Sequence, residues 1–281
     1  MPKIFGSKIN GKEVMFMQVL KCFPGGKFKV LTMSYDDGRT ADRKLVEIFN
    51  KYGIKGTFHL NSGLLDQPGR IGPDEIKDLY QGHEVSCHTS THPTIARCPK
   101  EQIAQELLLD RIKLEEIVGY PVRGLSYPNG SHNKQIRELL PHLGFEYARV
   151  VETTKGFGFP EDWFQWKATC HHNHNLMELG QQFINLHKKQ YLYMMYVWGH
   201  SYEFDNDNNW DLMENFCSLV GNREDIWYAT NIQIVDYFNA LDQLKFAANM
   251  KFVYNPSASS VWLSVGGEIV EVKGGQQVEL M

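Results

Sequence analysis

In the stretch Phe28-Lys29-Val30-Leu31-Thr32-Met33-Ser34-Tyr35-Asp36-Asp37-Gly38, Phe28 to Tyr35 reads as a buried strand, and two adjacent carboxylates follow it. Ala41 to Lys51 follows as a helix with Leu45, Ile48 and Phe49 on one face, closed by Gly53, and Ile54 to Leu60 reads as a second strand. The alternation then repeats. Pro73 to Tyr80, Pro99 to Val118, Asn133 to Leu143 and Leu176 to Lys188 read as helices. Glu84 to His88, Val122 to Tyr127, Phe145 to Val150 and Tyr191 to Trp198 read as strands between them. Such an order predicts an α/β fold: a parallel sheet with helices outside, closed as a barrel or open.

The ends of the chain read differently. Asn10-Gly11 between Lys8-Ile9 and Val14-Met15-Phe16 predicts a short N-terminal β-hairpin, and from Met250 onward short alternating runs between Gly266-Gly267 and Gly274-Gly275 predict a small β appendage. The expected division is a hairpin extension over 1–24, a barrel over 25–247 and the appendage over 248–281. With 281 residues, 42% of them hydrophobic, there is ample material for one large barrel core.

Charge and composition exclude several classes. A net charge of -4 and the absence of any basic block argue against nucleic acid or an anionic membrane as partner. No apolar run approaches the length of a membrane span. Met15 to Leu20 is short and preceded by Lys12 and Glu13, unlike a signal peptide, so a cytoplasmic protein is expected. Five cysteines with no C-x-x-C pair fit a reducing compartment.

Three segments at predicted strand ends carry the chemistry: Asp36-Asp37-Gly38, His88-Thr89-Ser90-Thr91-His92-Pro93 and Trp198-Gly199-His200. Asp-Asp-Gly alone could cap a helix near Arg39-Thr40, and either histidine alone could sit in a surface loop. Together they form a pattern that chance rarely supplies. Asp37, His88 and His92 give one carboxylate and two imidazoles, a shell that holds a divalent ion and leaves a position open for water. Asp36 is then free to act as a base.

At these residues the chain resembles the polysaccharide deacetylases of the NodB-homology, carbohydrate esterase family 4 type, over roughly residues 25 to 240. The resemblance implies a distorted (β/α) barrel and metal-dependent removal of acetyl groups from acetylated sugars. It assigns Asp36 as base, Asp37, His88 and His92 as ligands of one divalent ion (zinc first, cobalt or nickel as alternates) and His200 as general acid. In the third motif the family reads Arg-Pro-Pro-Tyr-Gly, whereas this chain has Ser126-Tyr127-Pro128-Asn129-Gly130. Asn129 falls where the oxyanion-binding backbone N–H lies, and Ser126 replaces the arginine that orients the base. Arg123, His172 and His174 are the expected substitutes as partner of Asp36, although Arg123 lies three residues before Ser126 and faces the other side of the strand. The fourth motif, an aspartate followed by tryptophan, falls within Asp162-Trp163-Phe164-Gln165-Trp166; with Trp166 as its tryptophan, Gln165 takes the aspartate's place and Asp162 is the candidate partner for His200.

Tyr127, Asn129, Trp163, His172 and Trp198 are the candidate substrate-binding residues, with a sugar-stacking cleft wall and a buried core position equally open for Trp163. His171-His172-Asn173-His174 could hold a second metal or form a hydrated loop. The leading expectation is a carbohydrate N-deacetylase acting on an acetylated saccharide. An O-acetyl esterase acting on a xylan-like polysaccharide uses the same site, and a metal-containing sugar-binding protein without turnover is the third reading. Oligomeric state is not legible.

Overall fold

The computed structural model describes residues 4–9 and 12–280. Its centre is a nine-stranded, wholly parallel sheet. The strands are β1 (Lys29–Asp36), β2 (Gly56–Leu60), β3 (Glu84–Cys87), β4 (Gly124–Ser126), β5 (Tyr147–Thr153), β6 (Trp166–Ala168), β7 (Cys170–His171), β8 (Tyr193–Gly199) and β9 (Ile226–Tyr228). Their order is β7-β8-β1-β2-β3-β4-β5-β6, with β9 on the opening residues of β1. The two edge strands are consecutive pieces of one segment. Its first half pairs with β5 and its second with β8, so the curled sheet meets itself there without a continuous ladder. The expected distorted barrel is the fold observed.

Among the described residues, eight helices accompany the sheet: α1 (Asp42–Lys51), α2 (Pro73–Leu79), α3 (Lys100–Val118), α4 (Lys134–Leu139), α5 (Leu176–Ile184), α6 (Tyr202–Asn206), α7 (Trp210–Val220) and α8 (Asn231–Gln243). Among the described residues no helix is long and apolar enough to cross a membrane. The helix predicted to reach Lys188 ends at Ile184, and the one predicted to reach Leu143 tightens into a 3₁₀ turn from Leu140, where Pro141 lacks the N–H that an α-helix would use.

Side chains alternate across each strand with period two. In β1, Leu31, Met33 and Tyr35 face the helices within the larger apolar cluster, while Val30 belongs to a second cluster with Tyr147, Trp166, Met194 and Tyr196. The second cluster continues into α8 and the C-terminal strands through Ile234, Tyr237, Val261 and Leu263. One end of the barrel is therefore filled. On the same parity as Val30 lie Thr32, Ser34 and Asp36, all buried, so the interior turns polar toward the C-terminal end of β1.

The strands Ile4–Ile9 and Lys12–Met17 pair antiparallel; the Asn10-Gly11 turn predicted between them lies outside the described residues. The C-terminal strands form two small antiparallel sheets. Val261–Val265 lies between Glu268–Val272 and Val19–Cys22, so a strand from the N-terminal region joins the appendage. Phe252–Tyr254 lies between Lys245–Phe246 and Gln277–Glu279.

Candidate active site

The strand ends put the three chemistry-bearing segments on one face. Asp36 is the last residue of β1 and points into the barrel, 2% exposed. Asp37 (φ 83) and Gly38 (φ 59) are both left-handed, which turns the chain sharply and sends Asp37 to the rim instead. The second segment turns in the same way. Thr89 (φ 62) and His92 (φ 60) fold the loop after β3 back on itself, and the His88 and His92 rings stand 4.8 Å apart.

Positive φ at a threonine is costly, and α3 supplies what holds it. Glu106 and Asp110, one turn apart on the buried face of α3, accept from this loop. Glu106 takes the Thr91 N–H at 2.8 Å and the Thr91 hydroxyl at 2.6 Å. Asp110 takes the His88 N–H at 2.9 Å and the Ser62 N–H at 2.7 Å.

Donor atoms of Asp37, His88 and His92 all lie within 4.8 Å of one another. The set fits a divalent ion. Both oxygens of Ser126 sit around His88 Nδ1, the backbone carbonyl at 2.8 Å and the hydroxyl at 2.6 Å, so the ring proton is held there and Nε2 is left bare toward the carboxylates. Burial lowers the His88 pKa to about 4, which keeps the ring neutral as a ligand must be. Arg70 binds the Asp37 carbonyl and lies 3.5 Å from its Oδ1; Arg39 stands 4.0 Å from Oδ2.

Asp36 has two partners that sequence reading did not name as such. Ser126 donates its hydroxyl to Oδ1 at 3.0 Å, and Arg149, on the strand beside Ser126's, binds Oδ2. Ser126 and Arg149 are direct partners in the β4–β5 register, so the guanidinium absent at Ser126 arrives from the next strand at the same height. Arg149 is fully buried and lies 4.3 Å over the Trp198 ring. Burial alone would raise the Asp36 pKa, but the Arg149 charge, helped by His88, His59 and His200, outweighs it and holds the carboxyl well below the usual range.

The three expected substitutes lie elsewhere. Arg123 is tied to Asp236 and Glu146 on the outer side, as its strand parity requires. His172 is 1% exposed, stacked between Tyr35 and Phe204, and its Nε2 meets Glu203. His174 lies against His171. Asp162 does not reach His200: it caps the 3₁₀ turn Trp163–Gln165 and binds the Gln165 amide. The partner of His200 is Glu203, whose Oε1 lies 3.3 Å from Nδ1.

Of the substrate-binding candidates, Asn129 is exposed at φ 55 beside Thr94. Trp198 lies at the rim of the second cluster, 9% exposed. Trp163 packs edge-on against Trp166 and beside Phe238, and Tyr127 is buried with its hydroxyl donating to the Phe164 carbonyl. Arg149 had a signal in the sequence, a lone charge inside the apolar run Tyr147-Ala148-Arg149-Val150. Glu203 had a weaker one, one helical turn after His200.

Residues 24–148 match the sequence model of the polysaccharide deacetylase family. The matched segment is under half of the 281-residue chain. The peptidoglycan-N-acetylglucosamine deacetylase PgdA of Listeria monocytogenes is 24% identical over 113 residues, which is 39% of this chain and 23% of that protein. The match thus spans under a quarter of the curated relative. By structure, a polysaccharide deacetylase homologue from Mycobacterium smegmatis superposes with a TM-score of 0.60 at 16% identity, covering 78% of this chain and 93% of the other. PuuE allantoinase superposes with a TM-score of 0.62 at 14% identity, covering 78% and 92%. These two structural likenesses speak to the barrel fold alone.

Proposed function

We propose that this protein is a metal-dependent hydrolase that removes acetyl groups from N-acetylated saccharides, like the polysaccharide deacetylases that residues 24–148 resemble. The observation that carries the reading is the convergence of Asp37, His88 and His92 beside a buried, arginine-paired Asp36. Asp37, His88 and His92 would hold the ion, zinc by the donor set with cobalt or nickel as alternates. When bound, such an ion polarises the acetyl carbonyl and makes water a better nucleophile.

The remaining steps belong to the side chains. Asp36 is ionised at every working pH and, fixed by Arg149 and Ser126, takes the proton from the attacking water. Arg149 lowers its basicity while fixing its position, so the pair favours geometry over proton affinity. Addition of water to the amide gives a tetrahedral species, and its collapse to acetate needs a proton on the departing nitrogen. His200 supplies it. Burial would lower the His200 pKa, but the Glu203 hydrogen bond and the charges of Asp36, Glu203 and Asp37 raise it above the ordinary imidazole value, which keeps the acid form populated near neutrality. The Arg149–Asp36 pair also removes the main support for a sugar-binding protein without turnover, the missing arginine at Ser126.

The test is acetate release by purified protein with added Zn²⁺ or Co²⁺, on N-acetylglucosamine oligomers and on acetylated xylan. Release from the oligomers, abolished in Asp36→Asn, supports the reading. Release from xylan alone would replace it with the esterase, and release from neither would refute deacetylation of these saccharide classes.

A further inference from the structure

His171-His172-Asn173-His174 takes no part in the donor triad or the Asp36 pair, yet two of its imidazoles lie against one carboxylate. His171 Nε2 lies 3.2 Å and His172 Nε2 3.1 Å from Glu203 Oε2. The same carboxylate faces His200 with Oε1 at 3.3 Å from the ring Nδ1, and accepts the His200 backbone N–H at 3.3 Å on Oε2. Glu203 thus stands between two histidines that are remote from the acetyl chemistry and one that is part of it.

The fold builds this arrangement from three elements. Parallel pairing of β7 with β8 sets His171 beside Trp198, and the His172 N–H continues the ladder to the Trp198 carbonyl at 2.9 Å. α6 begins just past His200 and places Glu203 one turn beyond it. His172 is pressed against Gly199, where a Cβ would fall 2.0 Å from its Nδ1, so the glycine is what lets the ring lie in place.

Two histidines and a glutamate are also a candidate metal triad. The tautomers weigh against it. The Asn173 N–H donates to His171 Nδ1 at 3.2 Å, which puts the proton of the neutral ring on Nε2, facing the carboxylate. A ligating histidine has the reverse arrangement, a bare nitrogen at the metal and a proton on the other. For His172, Nε2 is likewise the nitrogen nearest an acceptor. Burial pushes the Glu203 pKa up, but the contacts with His171, His172 and His200 outweigh it and hold it well below the usual carboxylate range.

We propose that His171 and His172 are positioning residues: they fix Glu203, and Glu203 fixes the His200 ring with Nδ1 protonated so that Nε2 faces the leaving group. The role of His200 as acid rests on the deacetylase reading; the arrangement of the four side chains does not.

The test reads both separately, on the full chain loaded with zinc. Imidazole ¹⁵N shifts at a pH where His200 is neutral should show the Nδ1–H tautomer in the wild type. Glu203→Ala should move it toward Nε2–H, the isosteric Glu203→Gln should do so less, and His171→Phe should give an intermediate mixture. With N-acetylglucosamine oligomers, Glu203→Ala should lower kcat by about 10²-fold, the lower end of what a lost general acid costs, with KM little changed. A wild-type Nε2–H tautomer, a tautomer unmoved in both Glu203 variants, or two zinc ions per chain falling to one in Glu203→Gln would each overturn the proposal. The expected tautomer shifts without acetate release from any saccharide would leave the arrangement standing and remove the deacetylase reading instead.

Discussion

Arg149 reaches Asp36 across the barrel from the strand beside Ser126's, and its charge holds the carboxyl ionised, as the proposed base must be. The gap at Ser126 is legible in the sequence, but what fills it is none of the expected Arg123, His172 and His174. Strand parity already excluded Arg123, and parity applied to Tyr147-Ala148-Arg149 puts the arginine on the same side as the buried Tyr147. What parity could not give is the β4–β5 register, which depends on long-range pairing. Arg149→Met should therefore strip Asp36 of its cation and cost about 3–5 kcal/mol of stability, the usual consequence of leaving one buried charge unpaired. Denaturant unfolding measures it, and a loss below 1 kcal/mol would mean the pair is not buried as described. The two adjacent aspartates should separate by role. Asp36→Asn should abolish acetate release with zinc affinity nearly unchanged, while Asp37→Asn should weaken zinc binding by an order of magnitude or more. Equal zinc loss in both, read by calorimetric titration, would contradict this division.

Among the elements, α3 shows how a helix that is plain in sequence can have an opaque purpose. Ile103, Leu107, Asp110 and Leu114 follow helical spacing, and Gly119 ends the helix in the left-handed conformation at φ 80. Nothing in that periodicity explains two carboxylates on the buried face. The explanation is the loop they hold, whose left-handed Thr89 and His92 bring the imidazoles together. Glu106→Ala should thus lower zinc affinity by roughly 10–100-fold, as losses of outer partners do, although Glu106 touches no metal donor. Titration calorimetry alongside far-UV circular dichroism would check it, and unchanged affinity in a folded variant would show that the loop holds its shape unaided. Other elements were not legible for a simpler reason. β6 and β7 have three and two residues, too few to display alternation, and their strand character comes from the ladders to β5 and β8.

At the scale of the whole molecule, the polar interior makes stability depend on protons. The buried carboxyls of Asp42, Glu84 and Asp110 are each pushed up to about 7, chiefly by burial, while burial lowers His59 to about 3 and His83 and His88 to about 4. The two groups oppose each other. A carboxyl with a raised pKa retains a proton in the folded state that the unfolded chain has lost, so it subtracts stability as pH rises; a histidine with a lowered pKa adds stability over the range where the unfolded ring discharges. Between about pH 4 and 6.5 these effects offset, and the wild-type profile alone cannot separate them. Asp42 offers a clean difference experiment, because its partners are the hydroxyls of Tyr80, at 2.7 Å, and Ser201, at 2.5 Å, which can donate or accept. In Asp42→Asn the amide can meet both hydroxyls and carries no charge at any pH. The Asp42 carboxyl is protonated in both states below its unfolded value of 3.8, so the variant should gain nothing there. The difference should grow as pH rises to about 7 and level off above it, reaching a Tm advantage on the order of 5 °C. A Tm difference that stays constant from pH 4 to pH 8 would show that Asp42 titrates as an ordinary carboxyl, and that the hydroxyls of Tyr80 and Ser201 stabilise its charge as fully as water does.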